Sequence, residues 1–93
     1  MAIERAETTR FRQALAPRQS GQGAGYTLRP GFSLPVLAQA GVQPGDTILG
    51  VNGSRLGAEQ LEELAWTIAN SDRTELEIER AGRRMRLSIS PPR

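Results

Sequence analysis

The 93-residue sequence contains no cysteine, no histidine and no lysine. Without cysteine the chain has no disulfide, no thiol nucleophile and no thiolate ligand for a metal, and its redox compartment stays open. Without histidine and lysine, a serine nucleophile lacks its usual general bases. The sequence also shows neither a metal-ligand cluster nor a glycine-rich phosphate loop. We therefore expect a non-catalytic chain that uses no cofactor and no metal.

Long apolar runs are absent as well. No run approaches the roughly 20 residues that a bilayer-spanning helix needs, and the first residues do not lead into the apolar segment of a signal peptide. We expect any membrane anchor to lie outside this sequence. All twelve basic residues are arginine, but ten acidic residues are interleaved with them and the net charge is only +2. Because that balance gives little long-range attraction for a polyanion, nucleic-acid binding is disfavoured.

The most informative pattern lies in residues 42–53. Pro44-Gly45 is a strong turn dipeptide, Asp46 can accept backbone hydrogen bonds at the exit of the turn, and residues 47–51 form a short apolar run. Asn52-Gly53 then supplies a second tight turn. This pattern predicts a buried strand held between two sharp turns.

The second half of the chain predicts one helix. In residues 59–70, Leu61, Leu64, Ala65 and Ile68 recur at intervals of three and four residues, which is the spacing of one apolar helix face. Glutamates occupy the first turns, where they interact favourably with the helix dipole.

A β-hairpin follows this helix. Residues 75–80 and 83–89 alternate between apolar and charged side chains on either side of Ala81-Gly82. One register pairs Ile78 with Met85 and Leu76 with Leu87 on the inner face. The same register pairs Glu79 with Arg84 and Glu77 with Arg86 on the outer face, so the two patterns agree.

The first part of the chain carries weaker signals. Residues 1–9 are polar and predict a flexible segment, with a short helix as the alternative. Residues 11–15 alternate weakly and favour a strand, whereas the glycine-rich residues 17–25 favour a loop. Residues 26–29 predict a strand that ends at Pro30-Gly31.

A short helix is predicted over residues 34–40. Ser33 can cap its first turn, Pro35 is tolerated near its start, and Gly41 is a helix-ending residue. Leu34 and Leu37 are then expected to face the core.

Three segments resemble parts of PDZ domains. Residues 42–53 resemble the Pro-Gly-Asp strand of bacterial PDZ domains, Gly25 to Leu28 resemble the carboxylate-binding loop and the strand after it, and residues 61–70 resemble the groove helix. The order of elements from Phe11 to Gly53 is similar to that of the C-terminal PDZ domain of the type II secretion C component (GspC). The resemblance covers roughly residues 10–90.

The resemblance implies an α+β fold. We expect a small antiparallel β-sandwich or partial barrel of about five strands with two helices, in the circularly permuted strand order of bacterial PDZ domains. Residues 10–90 would form the PDZ domain, residues 1–9 a flexible N-terminal segment and residues 91–93 a C-terminal tail.

The resemblance also implies a peptide groove between strand 25–29 and helix 59–70, where a ligand adds to the sheet as a further strand. The expected peptide-binding residues are Gly25, Tyr26, Thr27, Leu28, Leu61, Ala65 and Ile68. Leu61 stands where many PDZ domains have histidine, so we expect an apolar ligand residue there. The alternative is a closed groove in which these side chains pack together as core. Trp66, beside the apolar face, is either a partner contact or a side chain packed on the helix flank.

The function implied is a protein- or peptide-interaction module of a type II secretion inner-membrane component, on the periplasmic side of that membrane. Its roles would be contact with the secretin and recruitment of exoproteins. The alternative is the regulatory PDZ domain of a periplasmic or membrane protease, which recognises C-terminal tails. Membrane association would come only from an anchor outside this sequence, and the oligomeric state stays open.

Overall fold

The computed structural model describes residues 9–90, which fold into three helices and one open antiparallel sheet of six strands. Helix α1 covers residues 9–14 at the start of the described chain. The elements after it are β1 (Leu15–Ser20), β2 (Gly23–Leu28), α2 (Pro35–Ala40), β3 (Thr47–Val51), β4 (Ser54–Arg55), α3 (Ala58–Asn70), β5 (Thr74–Arg80) and β6 (Arg83–Ile89).

The strand order is β1-β2-β3-β5-β6, and β4 pairs with β3 beside this path. The pairing between β2 and β3 is short, because it consists of Tyr26 with Ile48 and Thr27 with Thr47. Farther along β3, Gly50 and Val51 pair instead with β4. The β1–β2 hairpin therefore separates from β3 beyond Tyr26, and β1 forms one edge of the sheet.

The predicted central strand is confirmed. All five residues of β3 are buried, and Asp46 immediately before it is only 2% exposed. The Asp46 carboxylate accepts hydrogen bonds from Arg80 Nε at 2.9 Å, from Arg80 Nη2 at 2.7 Å and from the Gln43 amide at 2.8 Å. Burial alone would raise the pKa of Asp46, but the bonds from Arg80 and Gln43 outweigh it and hold this pKa below its ordinary value.

The helix predicted over residues 59–70 and the predicted hairpin are also confirmed. Helix α3 buries Leu61, Leu64, Ala65 and Ile68, as the apolar spacing indicates. In the hairpin, Ile78 pairs with Met85, Leu76 with Leu87, Glu79 with Arg84 and Glu77 with Arg86, which is the register the alternating pattern predicts.

Helix α2 packs beside β6 and contributes Leu37, while Leu34 just before it is also buried. Gly41 ends α2 in the left-handed conformation, with a φ of 103°. Its amide donates to the Ala38 carbonyl at 3.0 Å, which closes the last turn. Ser33 does not cap this helix, contrary to the expectation: Leu34 is the N-cap residue and makes no side-chain capping bond.

The expectation of a strand over residues 11–15 is wrong, because residues 9–14 are helical. Phe11, Ala14 and Leu15 are all buried, whereas Arg12 and Gln13 are exposed. This spacing of three and four residues suits a helix, and it outweighs the weak alternation that suggested a strand. Only Leu15 belongs to a strand, as the first residue of β1.

The expectation of a loop over residues 17–25 is also wrong. Six cross-strand pairs join β1 to β2, from Leu15–Leu28 to Ser20–Gly23, and a two-residue turn connects them. Glycine is required within this hairpin at Gly25, since a Cβ atom there would collide with the carbonyl oxygen of Ile48. The glycine therefore marks a close approach of two strands rather than a loop.

The extra elements relative to the expected five strands and two helices are the short strand β4 and helix α1. Residues 1–8 and 91–93 lie outside the described residues, so the division into segments 1–9, 10–90 and 91–93 stays a prediction. The circularly permuted strand order also stays a prediction.

Candidate functional site

The strand expected to bind a ligand, residues 25–29, lies inside the sheet. Tyr26 and Thr27 pair with β1 on one side and with β3 on the other. No edge is free at these two residues, so an added strand cannot pair there. The expectation that a ligand adds to the sheet along strand 25–29 is therefore wrong at Tyr26 and Thr27.

The free edge belongs to β1, which pairs only with β2 among the described residues. The Arg29 amide donates to the Ala14 carbonyl at 2.7 Å, and hydrogen-bonded pairs alternate along an antiparallel ladder. The backbone groups of Leu15, Pro17 and Gln19 therefore point away from β2. Pro17 has no amide hydrogen, so the outer edge of β1 offers donors only at Leu15 and Gln19.

Helix α3 lies alongside this edge. At one end, Arg12, just before β1, forms an ion pair with Glu62 of α3 at 2.7 Å. At the other end, an opening of about 710 Å³ separates the β1–β2 hairpin from the start of α3. The residues that line this opening are Pro17, Arg18, Gln19, Ala24, Gly25, Tyr26, Ser54, Arg55, Leu56, Gly57 and Gln60. A strand edge and a helix thus bound a groove that is open at one end.

The helix side of the expected groove is covered in this structure. Leu61, Ala65 and Ile68 are 7%, 9% and 4% exposed, and they belong to one core cluster. Tyr26 and Leu28 are partly buried against the same cluster. The apolar part of the groove is therefore packed, and the accessible part is the opening near Pro17, Gln19 and Gln60.

Solved structures of other proteins share this architecture. Two fragments of the PDZ domain of EpsC from Vibrio cholerae superpose with TM-scores of 0.57 and 0.54, at 24% and 26% sequence identity. The first match covers 96% of this chain and 91% of the EpsC fragment, and the second covers 84% and 94%. The PDZ domain of the pullulanase C protein of the type II secretion system from Klebsiella pneumoniae, solved in complex with a fatty acid, has a TM-score of 0.55 and 29% identity. That match covers 82% of this chain and 80% of the Klebsiella chain.

The chain has the PDZ fold. The resemblance to the PDZ domains of type II secretion C components, first seen in the sequence, is thereby confirmed in structure. No protein-family model matches the sequence, and no curated protein matches it significantly.

The structure places the seven expected peptide-binding residues of this PDZ domain in four settings. Gly25 and Tyr26 line the opening, Leu28 is partly buried against the core, and Leu61, Ala65 and Ile68 lie in the core. Thr27 has a structural contact, because its hydroxyl donates to the Asp46 carbonyl at 2.8 Å. Their role in peptide binding stays a prediction.

Sequence reasoning missed the β1 edge of the PDZ domain. Its signal was Pro17, which is tolerated in a strand only where its missing amide faces away from the ladder.

Two large apolar side chains are exposed elsewhere, Trp66 at 55% and Phe32 at 46%. The exposure of Trp66 leaves it accessible to a partner, and its role as a partner contact stays a prediction.

The charged residues in the described part of the PDZ domain do not form a metal site. Residues 9–90 contain no group of three acidic, histidine or cysteine side chains that could hold a metal ion. None of the helices within that range is long and apolar enough to cross a membrane. The charged residues along the opening are Arg18 and Arg55, and Arg18 Nη1 donates to the Gly45 carbonyl at 3.0 Å. The free edge of β1 and the opening beside it can bind a chain segment through backbone hydrogen bonds and shape complementarity.

Proposed function

We propose that this chain is a non-catalytic protein-interaction module of a type II secretion inner-membrane component, and that it binds an extended partner segment along the outer edge of β1. The observation that carries the proposal is the free edge of β1 beside α3. An added strand gains backbone hydrogen bonds from Leu15 and Gln19, and its side chains enter the space between β1 and α3.

The similarity to PDZ domains of secretion C proteins supports the assignment to type II secretion. The Klebsiella domain was solved in complex with a fatty acid, so a PDZ domain of this kind can hold a long apolar ligand. In this chain, the helix residues expected to face a ligand, Leu61, Ala65 and Ile68, are apolar, and they are packed in the core of the free domain. We therefore favour a partner segment with apolar residues.

The partner is a secretin component or a secreted exoprotein, and the domain acts on the periplasmic side of the inner membrane, held there by an anchor outside this sequence. The regulatory PDZ domain of a periplasmic or membrane protease is the alternative. Similarity to the secretion C proteins favours the first function.

The proposal is tested by measuring, by calorimetry, binding to the periplasmic domains of the secretin from the same organism. Gln19→Pro removes an outward amide of β1 and leaves its ladder with β2 intact, while Gln19→Ala keeps that amide. We expect Gln19→Pro to weaken binding at least about tenfold and Gln19→Ala to change it less than about threefold. Equal affinity of both variants and the native chain would rule out binding by strand addition to β1. No binding to the secretin would move the choice to an exoprotein or a protease tail.

A further inference from the structure

A second opening adjoins the first at the Gln19 end of β1. It has a volume of about 540 Å³ and lies between the tip of the β1–β2 hairpin and strands β3, β4 and β5. Four residues line both openings: Gln19, Ala24, Ser54 and Arg55. Gln19 of β1 and Arg55 of β4 therefore stand at the boundary that the two openings share.

The hairpin tip beside this boundary is fixed by hydrogen bonds. Gln22 Nε2 donates to the Gly82 carbonyl at 3.2 Å, which ties the β1–β2 turn to the β5–β6 turn. Within the turn, Ser20 Oγ accepts from the Gln22 amide at 3.1 Å and donates to the Gly23 carbonyl at 2.9 Å. The end of β1 that carries Gln19 is therefore held in place.

Arg55 has a fixed backbone and an exposed side chain. It pairs with Gly50 of β3, and the next residue, Leu56, is 2% exposed and donates its amide to the Leu49 carbonyl at 3.0 Å. The Arg55 side chain makes no hydrogen bond or ion pair with another residue in the described range 9–90. A guanidinium stays charged and carries five donors, so Arg55 is available to an anionic group of a ligand.

The other charged residues at the two openings already have contacts. Arg18 Nη1 donates to the Gly45 carbonyl at 3.0 Å, and Arg84 Nη1 lies 3.6 Å from Glu77 Oε2. Among the described residues that line the first opening, none is acidic. The charge that is left for a ligand at the shared boundary is therefore that of Arg55.

We propose that Arg55 recognises an acidic side chain of the partner segment, at the end of the segment that passes Gln19. This inference rests on the proposed function and adds a requirement to it: the segment carries an aspartate or a glutamate next to its apolar part. A carboxylate and a guanidinium can form two parallel hydrogen bonds, which gives the contact geometric specificity.

The acidic residue comes before the apolar residues in the sequence of the segment. Antiparallel pairing is the more stable arrangement of two strands. Because β1 runs from Leu15 to Ser20, an antiparallel segment brings its N-terminal residues to Gln19.

The direct test uses two synthetic peptides that differ in one residue. Both can pair with all of Leu15–Ser20, have an acetylated N-terminus and alternating apolar residues, and end in a free phenylalanine carboxylate. The first residue is glutamate in one peptide and glutamine in the other. In calorimetric titrations the native chain should bind the glutamate peptide about three- to fivefold more tightly, which is the range of an exposed ion pair. Arg55→Gln should bind both peptides as the native chain binds the glutamine peptide.

Arg86→Gln is the matched control. Arg86 is also exposed and has no side-chain contact with the described residues, but it lies on β6 at the opposite edge of the sheet. This variant removes the same charge and should keep the preference for glutamate. Arg55→Glu should reverse the preference, so that a third peptide with arginine first binds more tightly than the glutamate peptide. High salt should reduce the preference in the native chain, because ions screen an exposed pair.

The Nε–Hε resonance of Arg55 gives a second readout. We expect it to shift on addition of the glutamate peptide and to stay unchanged with the glutamine peptide, because the charged carboxylate is the stronger acceptor. A general effect of net charge on binding would not move this resonance.

Equal affinity of the native chain for the glutamate and glutamine peptides would overturn the inference, and so would an unchanged preference in Arg55→Gln. Both results would leave the proposed function standing, because the glutamine peptide still reports strand addition to β1, which Gln19→Pro weakens. Binding of neither peptide would contradict strand addition itself and the inference with it.

Discussion

Arg80 on β5 binds both carboxylate oxygens of Asp46, 34 positions earlier in the sequence, and so ties the Pro44-Gly45 turn to the far side of β3. Arg80 Nη2 also donates to the Gly41 carbonyl at 2.7 Å, which joins the end of α2 to the same centre. We expect Arg80→Met to lower the free energy of unfolding, because it leaves the Asp46 carboxylate buried without its partner. Urea denaturation measures the change.

Arg84→Met is the control for this variant. Arg84 Nη1 lies 3.6 Å from Glu77 Oε2, and the Arg84 side chain is 58% exposed. We expect a loss of less than about 1 kcal/mol. An equal loss in both variants would show that the Asp46–Arg80 pair has no special role.

The pH dependence of stability follows from the same pair. Because the pKa of Asp46 is held below its ordinary value of 3.8, its contribution is present above that value and is lost as the pH falls through the lower, folded-state pKa. The free energy of unfolding should therefore fall below about pH 4, and Arg80→Met should show a smaller fall. Between pH 6 and 8 it should be nearly constant, since the chain has no histidine or cysteine. Denaturation across this pH range measures both, and a transition near pH 6.5 would contradict the account.

Two buried threonines carry hydroxyl groups without a hydrogen-bond partner in the described structure, Thr47 Oγ1 and Thr74 Oγ1. Valine removes the unsatisfied hydroxyl and keeps the branched shape, so we expect Thr47→Val and Thr74→Val each to stabilise the fold by about 1 kcal/mol. Thr27→Val should instead destabilise it by about 1 kcal/mol, because Thr27 donates to the Asp46 carbonyl. Thermal melts of the three variants should move in these opposite directions. A loss of stability in the first two would mean that their hydroxyls are satisfied in solution.

The β5–β6 turn holds an alanine in the left-handed region, with a φ of 53° at Ala81 and 81° at Gly82. This two-residue hairpin turn favours Asn-Gly, because asparagine tolerates a positive φ better than alanine does. Ala81→Asn should stabilise the fold by about 0.5 kcal/mol and Ala81→Val should destabilise it, both measured by urea denaturation. Equal stability of the two would show that the turn is not strained.

Much of the fold could be predicted where apolar spacing, charge pattern and turn residues agreed. The β5–β6 register follows from alternation on both faces, and β3 follows from two turns that bracket a buried run. The ion pair of Asp46 with Arg80 could not be predicted, because it joins residues 34 positions apart through the tertiary fold. Local pattern indicated only that Asp46 accepts a backbone amide, which it does from Gln43.

The candidate site was harder to predict, because its strand has little local β signal. Residues 15–20 include proline, arginine, glutamine and serine, and pairing with β2 rather than intrinsic propensity makes them a strand. Assigning the groove to Gly25–Leu28 chose a strand that is paired on both sides at Tyr26 and Thr27. Phe11 was placed in a strand because its helical spacing is visible only when Ala14 and Leu15 are considered together.

The central claim is that a partner segment binds along the outer edge of β1, beside α3. The most direct test is amide-shift NMR of the chain titrated with a pool of short peptides that end in a free phenylalanine carboxylate. The account predicts saturable shifts in Leu15–Ser20 and along Ala58–Asn70, with β6 unchanged. Shifts confined to the exposed face around Trp66 or to the outer side of β6, with Leu15–Ser20 silent, would contradict it.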